Sequence, residues 1–159
     1  MNTVKSIDLT LYILARLGKA SQLKLQKLAY YVESWHLAYF EEPILKEDFE
    51  AWVHGPVLRS VWNFFRERNI KSLYNSVELK EESKEPLIQQ IEAILSQDQK
   101  ELIDNVLDEY GDKTAFYLEN LTHSERPWIE ARGNLDQSDR CDAPISKDTM
   151  MEFYQSMIA

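Results

Sequence analysis

The stretch SQLKLQKLAYYVESWHLAYF, residues 21–40, decides which fold the sequence predicts. Its mostly apolar residues recur every three or four positions, which is the spacing of one face of a helix. The residues of this stripe are Leu25, Leu28, Ala29, Val32, Trp35, His36 and Tyr39. Ser21 precedes them and is of the type that caps a helix. Because the stripe is wide, we expect this helix to be the centre of the fold.

Segments on both sides also favour helices. Their boundaries are glycine, proline, serine and aspartate residues, which are typical of helix starts and stops. We predict helices at Ser6–Leu17 before Gly18, from Pro56 to about Asn69, from Pro86, from a cap at Asp98 to Gly111, at Asp112–Leu121, from Pro127 to about Gly133, and after a cap at Ser146. Two further segments, Phe49–Val53 and Ser72–Leu79, look like short strands that could pair with each other. The expected fold is mainly α: a compact single-domain helical bundle with a small two-stranded β element.

Length and composition fit one globular domain over residues 1–159. Of the 159 residues, 44% are hydrophobic and 28% are charged, close to the average of globular domains. No apolar run approaches the roughly 18 residues of a membrane-spanning helix, and the N-terminus lacks the pattern of a secretion signal. With Cys141 as the only cysteine, no internal disulfide can form. We therefore predict a cytoplasmic protein with no membrane partner.

The sequence offers little support for catalysis. The histidines, His36, His54 and His123, lie far apart and form no HxxxH pair. The sequence also lacks a phosphate-binding glycine loop, a GxSxG motif and an HExxH motif. We predict that the protein is not an enzyme and has no cofactor or metal. A metal-dependent hydrolase that uses His54 or His123 with carboxylates remains an alternative.

The charge of the chain argues against nucleic acid as its main partner. There are 27 Asp and Glu against 18 Lys and Arg, a net charge of −9, which repels phosphates and favours basic partners. A basic face that combines Lys24, Lys27, Arg59 and Arg66 could still meet phosphates. Cations near helix ends also stabilise the helix dipole, and we consider this the stronger interpretation. Because such a face is still open, a nucleic-acid-binding regulator is kept as an alternative function.

The segment FEAWVHGPV, residues 49–57, is the most informative part of the sequence. It places Trp52 before Gly55 and Pro56, where the backbone can turn and approach a neighbour closely. Trp52 either fills the core beside the helix of residues 21–40 or anchors another protein. Composition favours the structural role, but both interpretations stay open.

Several motifs together resemble the Panacea domain, which is found in promiscuous type II antitoxins and in phage-associated proteins of the GepA and SocA type. These motifs are residues 23–31 (LKLQKLAYY) with 35–38 (WHLA), residues 49–57, residues 106–111 with 118–123, and residues 127–132 (PWIEAR). Their order and spacing match from about Leu9 to the C-terminal helix. His54 is a departure, because the family more often has an aromatic residue before Gly-Pro.

The resemblance implies an antitoxin that binds and neutralises a toxin encoded nearby and performs no reaction of its own. If segments 49–57 and 127–132 converge, the residues expected to contact the toxin are Trp52, His54, Gly55, Pro56, His123, Trp128 and Arg132. A clamp inside the core is the alternative role for these residues. Some family members deliver a partner to a protease, so a proteolytic adaptor is a further alternative. Homo-oligomers and hetero-oligomers are both open.

Overall fold

The computed structural model describes residues 1–158, which form eight helices and two small antiparallel sheets. The helices are α1 (Ser6–Leu17), α2 (Gln22–Phe40), α3 (Arg59–Glu67), α4 (Glu81–Glu92), α5 (Gln97–Tyr110), α6 (Ala115–His123), α7 (Arg126–Arg132) and α8 (Lys147–Gln155). The strands are β1 (Lys19–Ser21), β2 (Glu50–Trp52), β3 (Gly55–Val57) and β4 (Ser76–Glu78). The prediction of a mainly α fold with a small β component is confirmed. No helix among these residues is both long and apolar enough to cross a membrane.

Helix α2 is the central element, as its apolar stripe predicted. It packs against α1, α5, α6 and α8, and most of its residues are buried on all sides. Ser21 caps it, because Ser21 Oγ accepts a hydrogen bond from the backbone N of Lys24 at 3.1 Å. Glu41 ends it in a left-handed conformation with φ 57°. Since neighbouring elements cover most of this helix, its polar side chains need partners inside the protein.

Glu33 shows how α2 meets this need. Its fully buried carboxylate accepts hydrogen bonds from the backbone N atoms of Ile44 at 2.8 Å and Leu45 at 3.2 Å. Lys147, the first residue of α8, donates to it from Nζ at 2.7 Å. Burial raises the pKa of Glu33, and the Lys147 ammonium opposes that effect. One carboxylate thus ties the loop after α2 and the last helix to the central helix.

The strands pair differently from the sequence prediction. The predicted pairing of Phe49–Val53 with Ser72–Leu79 is wrong, because β2 in the first segment pairs with β3. Strand β4 in the second segment pairs with β1 instead. Only Val53 and His54 separate β2 from β3, and closing so short a loop costs little chain entropy. The two strands therefore form a local hairpin.

Of the three helix starts predicted at prolines, two are wrong, whereas Pro127 lies one residue after the first residue of α7. Pro56 lies in β3 opposite Ala51, and α3 starts only at Arg59. Proline lacks a backbone N–H and cannot donate in a strand pair. An edge strand tolerates it, because an N–H on the outer side of the strand has no partner strand to pair with. Pro86 lies inside α4, which already starts at Glu81.

The other helix boundaries are close to those predicted. Helix α5 is capped by Ser96 instead of Asp98, because Ser96 Oγ accepts from the backbone N of Gln99 while the Gln99 side chain accepts from the backbone N of Ser96. Helix α6 starts after a Thr114 cap, later than the predicted Asp112. Three predicted helix stops are confirmed: Gly18 follows α1, Gly111 follows α5 and Gly133 follows α7. The predicted cap of α8, Ser146, is also confirmed.

The β2–β3 hairpin approaches α2 and α6 closely at Gly55. This residue has φ +97°, a conformation that residues with a side chain rarely adopt. A Cβ on Gly55 would lie 2.7 Å from Lys27 Cε and 2.8 Å from Thr122 Oγ1. Glycine therefore permits both the turn and the contact.

Replacing Gly55 with alanine should destabilise the protein strongly. Gly18→Ala is the matched control, because Gly18 also has a positive φ, +89°, but nothing lies within 4 Å of the added Cβ. We expect Gly18→Ala to cost about 1–2 kcal/mol from backbone strain and Gly55→Ala to cost about 2 kcal/mol more from overpacking. Urea unfolding measures both costs. Equal costs would contradict the close contact at Gly55.

Candidate functional site

The hairpin and α7 lie side by side, so segments 49–57 and 127–132 converge as the sequence analysis expected. Trp128 Nε1 donates a hydrogen bond to the backbone O of Trp52 at 2.8 Å. Arg132 Nη1 donates to the backbone O of Ala51 at 2.9 Å. The two donors are four residues apart and therefore lie on the same face of α7. That face holds the hairpin through main-chain oxygens of β2.

Arg132 points into the protein. Its side chain is buried and also donates from Nη2 to the backbone O atoms of Asp136, at 2.8 Å, and Asp139. The centre of its guanidinium lies 4.8 Å from the centroid of the Trp128 ring. These contacts fix the loop after α7 against the hairpin.

Lys27 of α2 holds the other side of the hairpin. It is fully buried, and its Nζ donates to the backbone O of Pro56 at 2.9 Å. Burial lowers its pKa to about 7, an effect that the nearby Glu119 carboxylate opposes. We call this set the hairpin clamp: Lys27, Gly55, Pro56, Trp128 and Arg132.

The residues expected to contact a toxin divide into buried and partly exposed groups. Gly55, Pro56, Trp128 and Arg132 are buried in the hairpin clamp, and no partner can touch their side chains unless the core opens. The partly exposed residues are Trp52, His54 and His123. His123 stacks on the Trp128 ring at 4.2 Å between centroids, and burial lowers its pKa.

His54 is the exposed end of this region. Its side chain is 41% exposed, and Nδ1 lies 2.8 Å from Glu119 Oε1. Tyr74 is also exposed, and its hydroxyl lies 3.3 Å from the same nitrogen. Glu119 and Tyr74 each contact His54 Nδ1, and the three side chains form a small polar patch beside the turn of the hairpin.

The structure removes Lys27 from the basic face considered for nucleic acid. Lys27 lies inside the hairpin clamp, and Lys24 is partly buried. Arg59 pairs with Glu50, with Nη2 and Oε1 2.8 Å apart. Arg66 is exposed and lies over the Trp62 ring, 4.9 Å from its centroid. The prediction of a basic face that includes Lys27 is wrong, because this side chain is fully buried. Sequence spacing alone did not show that other elements cover α2 on that side.

The alternative function, a metal-dependent hydrolase, would need a set of metal ligands among the described residues. Within residues 1–158, no group of three His, Cys, Asp or Glu side chains could hold a metal ion. His54 contacts one carboxylate, that of Glu119. His36 is buried, and its ring nitrogens contact the backbone O of Glu42 and the Gln99 side chain.

A surface groove that was not predicted from the sequence lies between α2, α5 and Met157, which follows α8. Its volume is about 620 Å³. We call it the acidic groove, since carboxylates border an apolar floor. Its floor and walls include Trp35, Tyr39, Phe40, Leu102, Val106, Tyr110 and Met157, and its carboxylates are Asp98, Glu101 and Glu109.

Helix α5 carried a signal for this groove. Its acidic residues Asp98, Glu101 and Glu109 flank the apolar residues Leu102 and Val106 at helical spacing. The sequence did not show that the far end of α2 would leave this stripe open. Only the packing of distant segments determines that opening.

Aromatic contacts connect the groove floor to the core. Trp35 Nε1 donates to the Tyr110 hydroxyl at 2.9 Å, and the Tyr110 ring stacks on Tyr31 at 4.2 Å between centroids. Tyr31 donates to the buried Glu125 carboxylate at 2.7 Å, and Tyr154 donates to it at 2.8 Å. Burial raises the pKa of Glu125, and these hydrogen bonds oppose that effect. These buried contacts therefore fix the conformation of the aromatic side chains in the groove floor.

The buried Lys27 predicts a pH dependence of stability. Its pKa falls from 10.5 to about 7 on folding, so between these values the unfolded chain binds more protons than the folded chain. The free energy of unfolding should then rise with pH across this window, and Lys27→Met should lack this contribution. Between about pH 7 and pH 9.5, we expect the wild type to gain up to about 3 kcal/mol relative to Lys27→Met. Urea unfolding at several pH values tests this, and parallel pH profiles would contradict it.

Arg132 should stabilise the folded protein, because it holds the hairpin through buried hydrogen bonds. We expect Arg132→Gln to cost about 2–4 kcal/mol, because buried backbone oxygens lose a charged donor. Arg126→Gln is the control, because Arg126 forms an exposed ion pair with Glu152, with 2.8 Å between Nη2 and Oε2. That substitution should cost less than about 1 kcal/mol in urea unfolding. An Arg132→Gln variant as stable as the wild type would exclude the clamp role.

A family model described as antitoxin SocA-like, Panacea domain, matches residues 25–129. The match runs from α2 to α7 and includes the hairpin, Lys27 and Trp128. No curated protein and no solved structure matches the chain. Since the family model covers about two thirds of the residues, the chain belongs to the SocA-like antitoxin family with a Panacea domain.

Proposed function

We propose that this protein is the antitoxin of a type II toxin–antitoxin pair and neutralises a nearby-encoded protein toxin by binding it directly. Membership of the SocA-like Panacea family is the observation that carries the proposal. In this proposal the protein acts in the cytoplasm, carries out no reaction and uses no cofactor. The toxin is its cognate partner.

The use of the motif residues supports binding over catalysis. Lys27, Trp128 and Arg132 all donate to backbone oxygens of the hairpin. These polar groups therefore serve to hold the fold. Neutralisation needs only a rigid body that covers part of the toxin, and a helical domain with an open groove meets that requirement.

The charge of the protein supports a basic partner. A net charge of −9 accelerates association with a positively charged protein, and salt weakens this effect. The same charge opposes binding to nucleic acid. The proposal therefore favours a protein partner over the nucleic-acid alternative.

Co-expression with the adjacent open reading frame tests the proposal. The neighbouring product alone should stop growth, and this protein should restore growth and co-purify with it. With the two genes under separate inducible promoters, rescue should begin only when this protein reaches about the same amount as the toxin, because each molecule blocks one partner. An unrelated folded protein from the same plasmid is the control.

Other results would contradict the proposal in distinct ways. A harmless neighbour, or one that stays toxic in the presence of this protein, would exclude the antitoxin function. Rescue at amounts far below those of the toxin would indicate a catalytic activity. Rescue with disappearance of the toxin on immunoblots would indicate delivery to a protease in place of direct neutralisation.

A further inference from the structure

The acidic groove presents apolar surface that the chain leaves uncovered. Tyr39 is 59% exposed and Met157 is 53% exposed, although both are large and mostly apolar. Behind them, Leu102 and Val106 form the buried floor. A concave apolar surface with a polar rim is typical of a binding site.

The groove has the length of a short helix. Along α5 it extends from Asp98 to Tyr110, a distance of about 18 Å at 1.5 Å per residue. About three turns of a partner helix would fit along it. In this mode of recognition the apolar face of an amphipathic helix lies in the groove.

The charges of the groove select the kind of helix. Asp98, Glu101 and Glu109 line it, and the described lining residues include no lysine or arginine. A helix with lysine or arginine beside its apolar stripe would complement these carboxylates. A second copy of this chain is disfavoured, because two facing grooves would bring their carboxylates together.

The floor is already arranged for binding. The Trp35 indole donates to the Tyr110 hydroxyl, and Tyr110 stacks on Tyr31. The polar atom of the indole is thus satisfied without a partner. Little ordering entropy is lost when such a surface binds a helix.

We infer that the acidic groove binds an amphipathic helix of the partner protein, with apolar side chains on one face and lysine or arginine at its borders. The inference rests on the proposed function, in which this partner is the toxin. Trp35, Tyr39 and Tyr110 supply the aromatic contacts, and Glu101 and Glu109 supply the charged ones.

A peptide assay tests the groove without the toxin. The probe is a fluorescein-labelled helical peptide with leucine at positions i, i+3, i+4 and i+7 and lysine at the remaining positions, and fluorescence anisotropy measures its Kd. A scrambled peptide of the same composition has no apolar face and should bind at least about tenfold more weakly, a difference of about 1.4 kcal/mol.

Charge-reversal variants locate the binding. Glu101→Lys with Glu109→Lys should weaken peptide binding at least about tenfold, because attraction becomes repulsion at both borders. Glu82→Lys with Glu85→Lys is the matched control, since it changes the net charge equally at exposed positions of α4. It should leave the Kd within about twofold. Urea unfolding confirms that the variants fold.

A second pair of variants tests the apolar contact. Tyr39→Ser should weaken peptide binding, whereas Tyr74→Ser, at a position of similar exposure outside the groove, should not. Equal effects of the matched variants, or no preference for the amphipathic peptide, would overturn the inference. Dimers that the peptide dissociates, as seen in sedimentation, would show that a second copy occupies the groove and would also overturn it.

The co-expression assay separates the two proposals. If the wild type rescues growth and Glu101→Lys with Glu109→Lys does not, the groove binds the toxin. If both rescue equally, the antitoxin function stands and the groove inference fails. If the wild type does not rescue but the peptide assay succeeds, the antitoxin function fails and the groove remains a docking site for a basic amphipathic helix.

Discussion

A single buried amine constrains the structure around it. Lys27 lies in a helix covered on that side, and an amine in the core is costly unless it finds a hydrogen-bond acceptor. The acceptor is the backbone O of Pro56, which the hairpin can present only because Gly55 approaches without a side chain. Trp128 and Arg132 then hold the opposite edge of the hairpin.

The same requirement recurs along α2. Gln26 Oε1 accepts from the backbone N of Leu58 at 2.8 Å, which positions the chain just before α3. Glu33 binds the loop after α2 and the first residue of α8. The central helix therefore organises its neighbours through polar side chains as much as through its apolar stripe. Near its C-terminal end, Tyr39 is exposed at the surface.

Local signals predicted the elements better than their contacts. Short-range contacts with the backbone determine the cap at Ser21 and the stop at Gly18, so the local sequence was enough to predict both. Pro56 is compatible with both a helix start and an edge strand, and only the pairing with Ala51 decides between them. Lys27 looked like a surface cation because helical periodicity cannot show which further face becomes covered. The acidic groove joins residues of α2 and α5 with Met157, which follows α8, and its shape arises only when these distant segments pack.

The last helix lies beyond the residues that define the family. The matched region ends at residue 129, yet α8 supplies Lys147 to the buried Glu33 and Tyr154 to the buried Glu125. A fragment limited to residues 25–129 would leave one interior carboxylate without its counterion and another without one of its donors. We therefore expect a version of the domain that keeps α8 to be more stable than the matched region alone.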